Sequence, residues 1–274
     1  METEIHVNIP VTRIKVRYIP DITYFEIIGW NPIHLRMDIM LPRVKEPTPC
    51  IVFLTGGGFL VCPKSSYMQQ RLHLAEAGFM VASIEYRTGT IGTYIEALKD
   101  IKTAIRFIRS KYDEFNILKD KVVVMGESAG GYLAVMAGLT GEKEFDTTNF
   151  PNETSEVQAV IGMYGPICIK ERGLAETIFT EGIPPYYGND AETGKQSHPF
   201  LYMDRELPPF LLMHGEKDKI VSVNETLEVY DMMRKHDIDV KKVIIQNAEH
   251  GGDHWCQPET LDIIVKFLEE KLSI

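Results

Sequence analysis

The sequence predicts an α/β protein: a mostly parallel central sheet with antiparallel strands on its N-terminal side and helices on both faces. Three observations predict it. Two early segments, Val11–Ile19 (VTRIKVRYI) and Ile33–Leu41 (IHLRMDIML), alternate apolar and polar residues, as half-buried antiparallel strands do. Six short apolar runs follow, at Cys50–Leu54, Phe79–Ile84, Val122–Met125, Ala159–Met163, Phe210–Met213 and Val243–Ile245. Runs without alternation suit strands buried on both faces of a parallel sheet. Between them lie helical patterns, so strand and helix alternate and right-handed crossovers give a doubly wound arrangement.

Taken in chain order, Pro42, Pro47 and Pro49 end the alternating pair and form a loop before the first buried run. Tyr94–Lys111 is a helix because Ile95, Leu98, Ile101, Ile105 and Ile108 recur three or four residues apart and make one apolar face. Gly131–Leu139, Asn224–Lys235 and Glu259–Leu272 carry helical patterns after later strands. The interval Gly165–Pro208 breaks the rhythm. A structureless loop of about forty residues is improbable inside a compact domain. It is read as a small inserted cap over the C-terminal edge of the sheet, with a helix near Lys170–Phe179. The 274 residues otherwise hold no linker or internal repeat and are expected to form a single domain, 1–274, with this insertion at about 165–208.

The bulk properties exclude several classes. A net charge of −10, with no run of Lys or Arg, argues against nucleic acid as a partner. A small neutral substrate fits better. Cys50, Cys62, Cys168 and Cys256 stand far apart with no C-x-x-C pair, so neither a disulfide framework nor a cysteine-based metal site is expected. The opening METEIHVNIP lacks a basic segment followed by an apolar one, so no signal peptide is seen and a cytoplasmic location is the default expectation. No apolar run approaches the roughly 20 residues that span a bilayer, so no membrane partner is expected.

The chemistry concentrates at VVVMGESAGGYLA, Val122–Ala134. Gly126-Glu127-Ser128-Ala129-Gly130 matches G-x-S-x-G directly after a buried strand and before a helix. In that context the glycines relieve crowding at a sharp turn, and the turn presents the Ser128 hydroxyl at the positive end of the helix. A nucleophilic serine needs donors for the oxyanion formed on carbonyl attack. Upstream, FLTGGGFL (Phe53–Leu60) ends a buried strand in three glycines. The amides of Gly57 and Gly58, with that of Ala129, are the candidate donors. A phosphate cradle is the weaker reading, because no Lys-Ser/Thr and no G-x-G-x-x-G accompany the loop.

An acid and then a histidine are expected downstream of such an elbow. FLLMHGEKDKIV (Phe210–Val221) runs from a buried strand into a loop holding Glu216 and Asp218. VIIQNAEHGGDHW (Val243–Trp255) places His250 just past the last strand beside two glycines, with His254 as its competitor. Gly251 and Gly252 argue against a helix that could turn these two histidines into a metal site, and no metal is expected. His6, His34, His73, His198 and His236 have no such setting, and His214 is read as support for the acid loop.

Together TGGGF, IEYR (Ile84–Arg87), GESAGGYLA, HGEKD and AEHG resemble the small bacterial carboxylesterases of the α/β-hydrolase superfamily, in the acetyl-xylan/feruloyl esterase-like branch, a neighbour of the hormone-sensitive-lipase-like esterases. The resemblance runs from about Leu35 to the C-terminal helix. It implies an α/β-hydrolase fold, no cofactor, Asp218 rather than Glu216 as the acid, and a catalytic set of Ser128, His250 and Asp218. Two departures stand out. Thr55 occupies the position where the family's oxyanion motif usually has histidine, a residue that mainly braces the loop. Tyr86-Arg87 is followed by TGTIG instead of L-A-P-E, which favours the small-esterase branch. Tyr86 and Arg87 are read as scaffold, with Arg87 and Asp100 in buried or loop-bracing polar pairs.

The resulting expectation is hydrolysis of short-chain acyl esters, acetyl to butyryl, including acetylated or feruloylated sugars. Ile178, Phe179, Tyr186 and Tyr187 of the insertion are candidate pocket walls, and a homo-oligomer is in keeping with the branch. The rival readings are a prolyl-oligopeptidase-like amidase, for whose propeller this chain has no room, and a non-catalytic ligand-binding protein of the same fold, which typically lacks a member of the triad.

Overall fold

The computed structural model describes residues 4–89, 91–167 and 191–274. Among them, β1 (Val16–Ile27), β2 (Ile33–Pro42), β3 (Thr48–Leu54), β4 (Met80–Ile84), β5 (Ile117–Glu127), β6 (Ala159–Met163), β7 (Phe210–Gly215) and β8 (Val240–Ile245) make one sheet. Its order is β1-β2-β4-β3-β5-β6-β7-β8. The β1–β2 and β2–β4 pairs are antiparallel and every later pair is parallel. The helices are α1 (Met68–Glu76), α2 (Tyr94–Ser110), α3 (Tyr112–Phe115), α4 (Ala129–Thr140), α5 (Ala191–Gln196), α6 (Val223–Lys235) and α7 (Pro258–Leu272).

Burial on both faces is visible strand by strand. Along β5, Val122 and Val124 join the core layer that also takes in α2, α4 and α6. Val123 and Met125, pointing the other way, join the layer beneath α1 and α7. The two-residue period of a strand turns a run such as VVVM into two cores at once. Every residue of α4 is buried, so the helix that follows Ser128 is clamped from all sides. No helix among the described residues is long and apolar enough to cross a membrane.

Three differences from the sequence reading have physical causes. The first strand is Val16–Ile27, not Val11–Ile19, because its partner sets the limits: Val16 pairs with Pro42 and Ile27 with Ile33. Val11 is left exposed. Pro20-Asp21 looks like a stop but is absorbed as a register shift between Ile19 and Ile22, with Asp21 at φ 57°. An edge strand accommodates such a bulge, since its proline removes no ladder donor that a neighbour needs. The helix α1 escaped the periodicity because its buried side includes Gln70 and Arg71, and Tyr67 starts it in a left-handed conformation with no side-chain cap. Of the insertion, residues 168–190 lie outside the described residues, and with them the expected helix near Lys170–Phe179, Cys168, and the candidate pocket walls Ile178, Phe179, Tyr186 and Tyr187. The described remainder packs on α4 and the segment after it: Tyr132 donates to the Ser197 carbonyl at 2.8 Å, and Arg205 pairs with Glu144, just past the helix, at 2.7 Å.

The scaffold pair is present. Arg87 grips the fully buried Asp100 through Nη2 to Oδ1 at 2.7 Å and Nε to Oδ2 at 2.9 Å, and its own amide donates to the same carboxylate. Removing one partner of a buried pair strands the other, at a cost of about 3–5 kcal/mol. Asp100→Ala is therefore expected to lower the stability toward urea by about 3 kcal/mol, the low end because Arg87 keeps some contact with water. An unchanged urea midpoint would remove the pair from the scaffold.

Candidate active site

The parallel strands end at one edge of the sheet, and the predicted groups gather there. At the end of β5 the chain turns into α4 through Ser128, held at φ 53° and ψ −121°. Such a backbone is strained for any residue but glycine, a cost of order 1–3 kcal/mol that the surrounding packing must overcome. The flanking glycines show why side chains are excluded. A Cβ on Gly126 would lie 2.1 Å from the Gly130 carbonyl oxygen, and one on Gly130 would lie 2.2 Å from that of Leu54. The Ser128 amide is tied to the Met163 carbonyl at 2.9 Å, which locks the turn onto the end of β6.

The Ser128 hydroxyl lies 2.8 Å from His250 Nε2, and His250 Nδ1 lies 2.7 Å from Asp218 Oδ2. Asp218 Oδ1 accepts from the amides of Ile220 and Val221, both at 2.9 Å. His214, buried at the end of β7, places Nε2 3.2 Å from Asp218 Oδ2 and 3.0 Å from the Val221 carbonyl, with Nδ1 2.8 Å from Thr226 Oγ1. This network makes His214 Nε2 the protonated nitrogen, donating to both oxygens, while Nδ1 accepts from the Thr226 hydroxyl. Burial alone would raise the Asp218 carboxyl. The hydrogen bonds from His214 and His250 overcome it and hold the group well below the usual carboxylate range.

The competitors fall elsewhere. Glu216 is exposed and accepts from the Asn247 amide at 3.1 Å, capping the neighbouring turn. His254 is exposed on the short 3-10 turn Asp253–Cys256. His73 and His236 pair with Asp262 and Asp204, each far along the chain from the serine.

The glycine loop lies directly against the serine. A Cβ on Gly56 would meet both the Ser128 Cβ and the Glu127 carbonyl oxygen at 2.9 Å, so only glycine lets the loop come this close. Gly57 and Gly58 line a cavity of about 230 Å³ with Ser128, His250 and Gly251, and the rings of Tyr67 and Tyr164 wall it. Ala129 is the first residue of α4, at the end of the helix where backbone amides are unpaired. Thr55 is fully buried, and its carbonyl accepts from the Tyr86 hydroxyl at 2.6 Å. Tyr86 thus braces the loop at the position where the resembled family has a histidine.

Besides the cavity wall Tyr67, two residues of the site went unread in the sequence. Tyr164 follows β6 and packs edge-on against His250, centroids 4.8 Å apart, and against Trp255 at 4.3 Å. Its hydroxyl donates to Glu127 Oε2 at 2.7 Å. Their signals were present: Glu127 is the variable residue of G-x-S-x-G, and Tyr164 stands just past the C-terminal end of a parallel strand.

A sheet in this order, antiparallel on its β1 side and parallel thereafter, with a serine elbow at the end of β5 and a histidine loop after β8, defines an α/β hydrolase. The chain belongs to the BD-FAE family, which it matches over residues 37–233. It is similar to Esterase LipC of Mycobacterium tuberculosis, 28% identical over 217 residues that cover 76% of this chain and 54% of that one. The chain spans about half the length of the curated relatives it matches. Among solved structures, a truncated carbohydrate esterase from gut microbiota superposes with a TM-score of 0.80 at 20% identity, covering 94% of this chain and 97% of the other. Thermogutta terrifontis esterase 2, phosphonylated by sarin, gives 0.77 at 23% identity and covers 94% of each chain.

Proposed function

We propose that the protein is a serine carboxylesterase acting on short acyl esters. Ser128 attacks the ester carbonyl while His250 Nε2 takes its proton. The amides of Gly57, Gly58 and Ala129 receive the oxyanion, and Asp218 holds the imidazole in the tautomer with its proton on Nδ1 and stabilises the imidazolium. The imidazolium then protonates the leaving alcohol, leaving an acyl-serine. Water, deprotonated by His250, adds to that acyl group, and collapse releases the acid and restores the serine hydroxyl. The reaction as written uses no cofactor.

The observation that carries this reading is the unbroken line from Ser128 Oγ through His250 to Asp218, at 2.8 and 2.7 Å, beside a glycine loop that only fits because it lacks side chains. The curated relatives with esterase names support the same chemistry. A cavity of about 230 Å³ is below the usual range for drug-sized ligands, and its tyrosine walls favour a small acyl group. The insertion at about 165–208 is proposed as the cap that closes this edge, within a single domain.

The test is hydrolysis of p-nitrophenyl esters from acetate to decanoate. We expect kcat/KM for acetate, propionate or butyrate to exceed that for decanoate by at least about tenfold. A profile peaking at long chains would sink the short-acyl assignment, and cleavage of aminoacyl amides in preference to esters would replace it with an amidase.

A further inference from the structure

One buried acid adjoins the serine without a part in the reaction as proposed. Glu127 ends β5, is completely shielded from solvent, and accepts the Tyr164 hydroxyl at Oε2. Its other oxygen, Oε1, is buried without a well-formed hydrogen bond, as is Oε1 of Gln70. We propose that Glu127 is a positioning residue for His250, holding Tyr164 edge-on against the imidazole, and that it does so as a neutral acid. The inference rests on the reading of Ser128 and His250 as nucleophile and base.

The geometry argues the first half. The Tyr164 ring is wedged between His250 and Trp255, and its hydroxyl is anchored to Glu127. The Trp255 indole in turn donates to the Glu249 carbonyl at 3.0 Å, fixing the residue before His250. An imidazole that must reach Ser128 and Asp218 at once needs its ring plane set, and with Gly251 and Gly252 behind it the loop backbone alone does not set it.

The surroundings argue the second half. The groups that face Glu127 are Tyr164 beyond β6, Tyr67 at the start of α1 and Gln70 within α1, besides Ser128 next in the chain; among the described residues none of them is cationic. Burial pushes the carboxyl up to about 7, against the hydrogen bond from Tyr164 and weaker polar contacts with Gln70 and Tyr67, so the acid is neutral below that pH and ionises above it. A proton on Oε1 also gives that oxygen a hydrogen to donate. An ionised Glu127 would place a fixed negative charge one residue from Ser128, opposing the charge that the glycine amides gather. The sign for stability follows. Between the unfolded glutamate value of about 4.3 and about 7 the native state binds more protons than the unfolded state, so this group's contribution falls as pH rises through that window.

The experiment compares Glu127→Gln, Glu127→Ala and Tyr164→Phe in the full-length protein. The amide of Gln still accepts from Tyr164 and cannot ionise. We expect Glu127→Gln to keep kcat on p-nitrophenyl acetate within about threefold and to lose any alkaline decline the parent shows above about pH 7. Its Tm relative to the parent should rise between pH 5 and 7.5. Glu127→Ala and Tyr164→Phe should each lower kcat by about tenfold or more with KM within about twofold, because alignment of the base acts on the chemical step. Both should also shift or broaden the low-field proton resonance of the imidazole N–H shared with Asp218. An unchanged resonance and unchanged kcat in folded Glu127→Ala overturn the positioning role. A Tm difference between Gln and parent that is flat with pH overturns the neutral acid. Absence of ester turnover in the parent counts against the catalytic reading instead, since the resonance and the Tm series need no substrate.

Discussion

Replacing Ser128 by alanine is expected to lower kcat for p-nitrophenyl acetate by about 10^4- to 10^6-fold. The size follows from what is lost and what is kept. Alanine retains Cβ, which lies against Gly56, and the hydrogen bond that the residue's backbone amide donates to the Met163 carbonyl, so the elbow and the start of α4 are unchanged. It also retains the positive φ at position 128, so no backbone strain is released to reshape the turn. Only Oγ disappears, and with it the covalent route. Residual rate then comes from water attacking a carbonyl still polarised by the glycine loop. Steady-state rates checked against an unchanged Tm make the measurement. A fall of less than about tenfold in folded protein would remove Ser128 as nucleophile, and the convergence of His250 on it would need another explanation.

The same elbow explains what could be read from the chain. Runs such as CIVFL, VVVM and AVIGM are uniformly apolar because both sheet faces are covered, and that requirement leaves a local trace which survives without knowledge of the neighbours. G-E-S-A-G was legible for the same reason: crowding at the turn is a local constraint and glycine is its local answer. What escaped depends on partners distant in sequence. The start of β1 is set by where β2 ends, and Pro20-Asp21 is tolerable only because that strand lies at the edge. The helix α1 buries Gln70 and Arg71, so its periodicity is hidden from a hydrophobic count. Tyr164 meets Glu127 across 37 positions of chain, a pairing with no pattern in sequence. The choice of Asp218 over Glu216 also came from resemblance alone. Two residues apart on one loop, the acids differ only in where the turn points them, and the His214 bond that distinguishes Asp218 exists only in the folded chain.

That loop gives the second large effect. In Asp218→Asn, the side-chain oxygen can still accept from the amides of Ile220 and Val221, which places the NH2 group where Oδ2 now faces His250. A donor there cannot receive the Nδ1 proton, so the imidazole is driven to the tautomer protonated on Nε2, and a protonated Nε2 cannot take the serine's proton. The expected loss in kcat at neutral pH is about 10^4-fold with little change in KM. Stability should change with a definite pH signature. The folded-state carboxyl lies well below its unfolded value of about 3.9, so the stabilisation from its ionised form is complete above that value. It is lost as pH falls below about 3.9 toward the folded-state value. The Tm gap between parent and Asp218→Asn should therefore be constant from pH 5 to 8 and close as the solution is acidified below pH 4. Lost activity with no gap at neutral pH would mean that Asp218 orients the imidazole without anchoring the loop. A gap that widens toward acid would contradict the depressed carboxyl itself, because only a group whose folded form binds protons more tightly than its unfolded form gains stability in that direction.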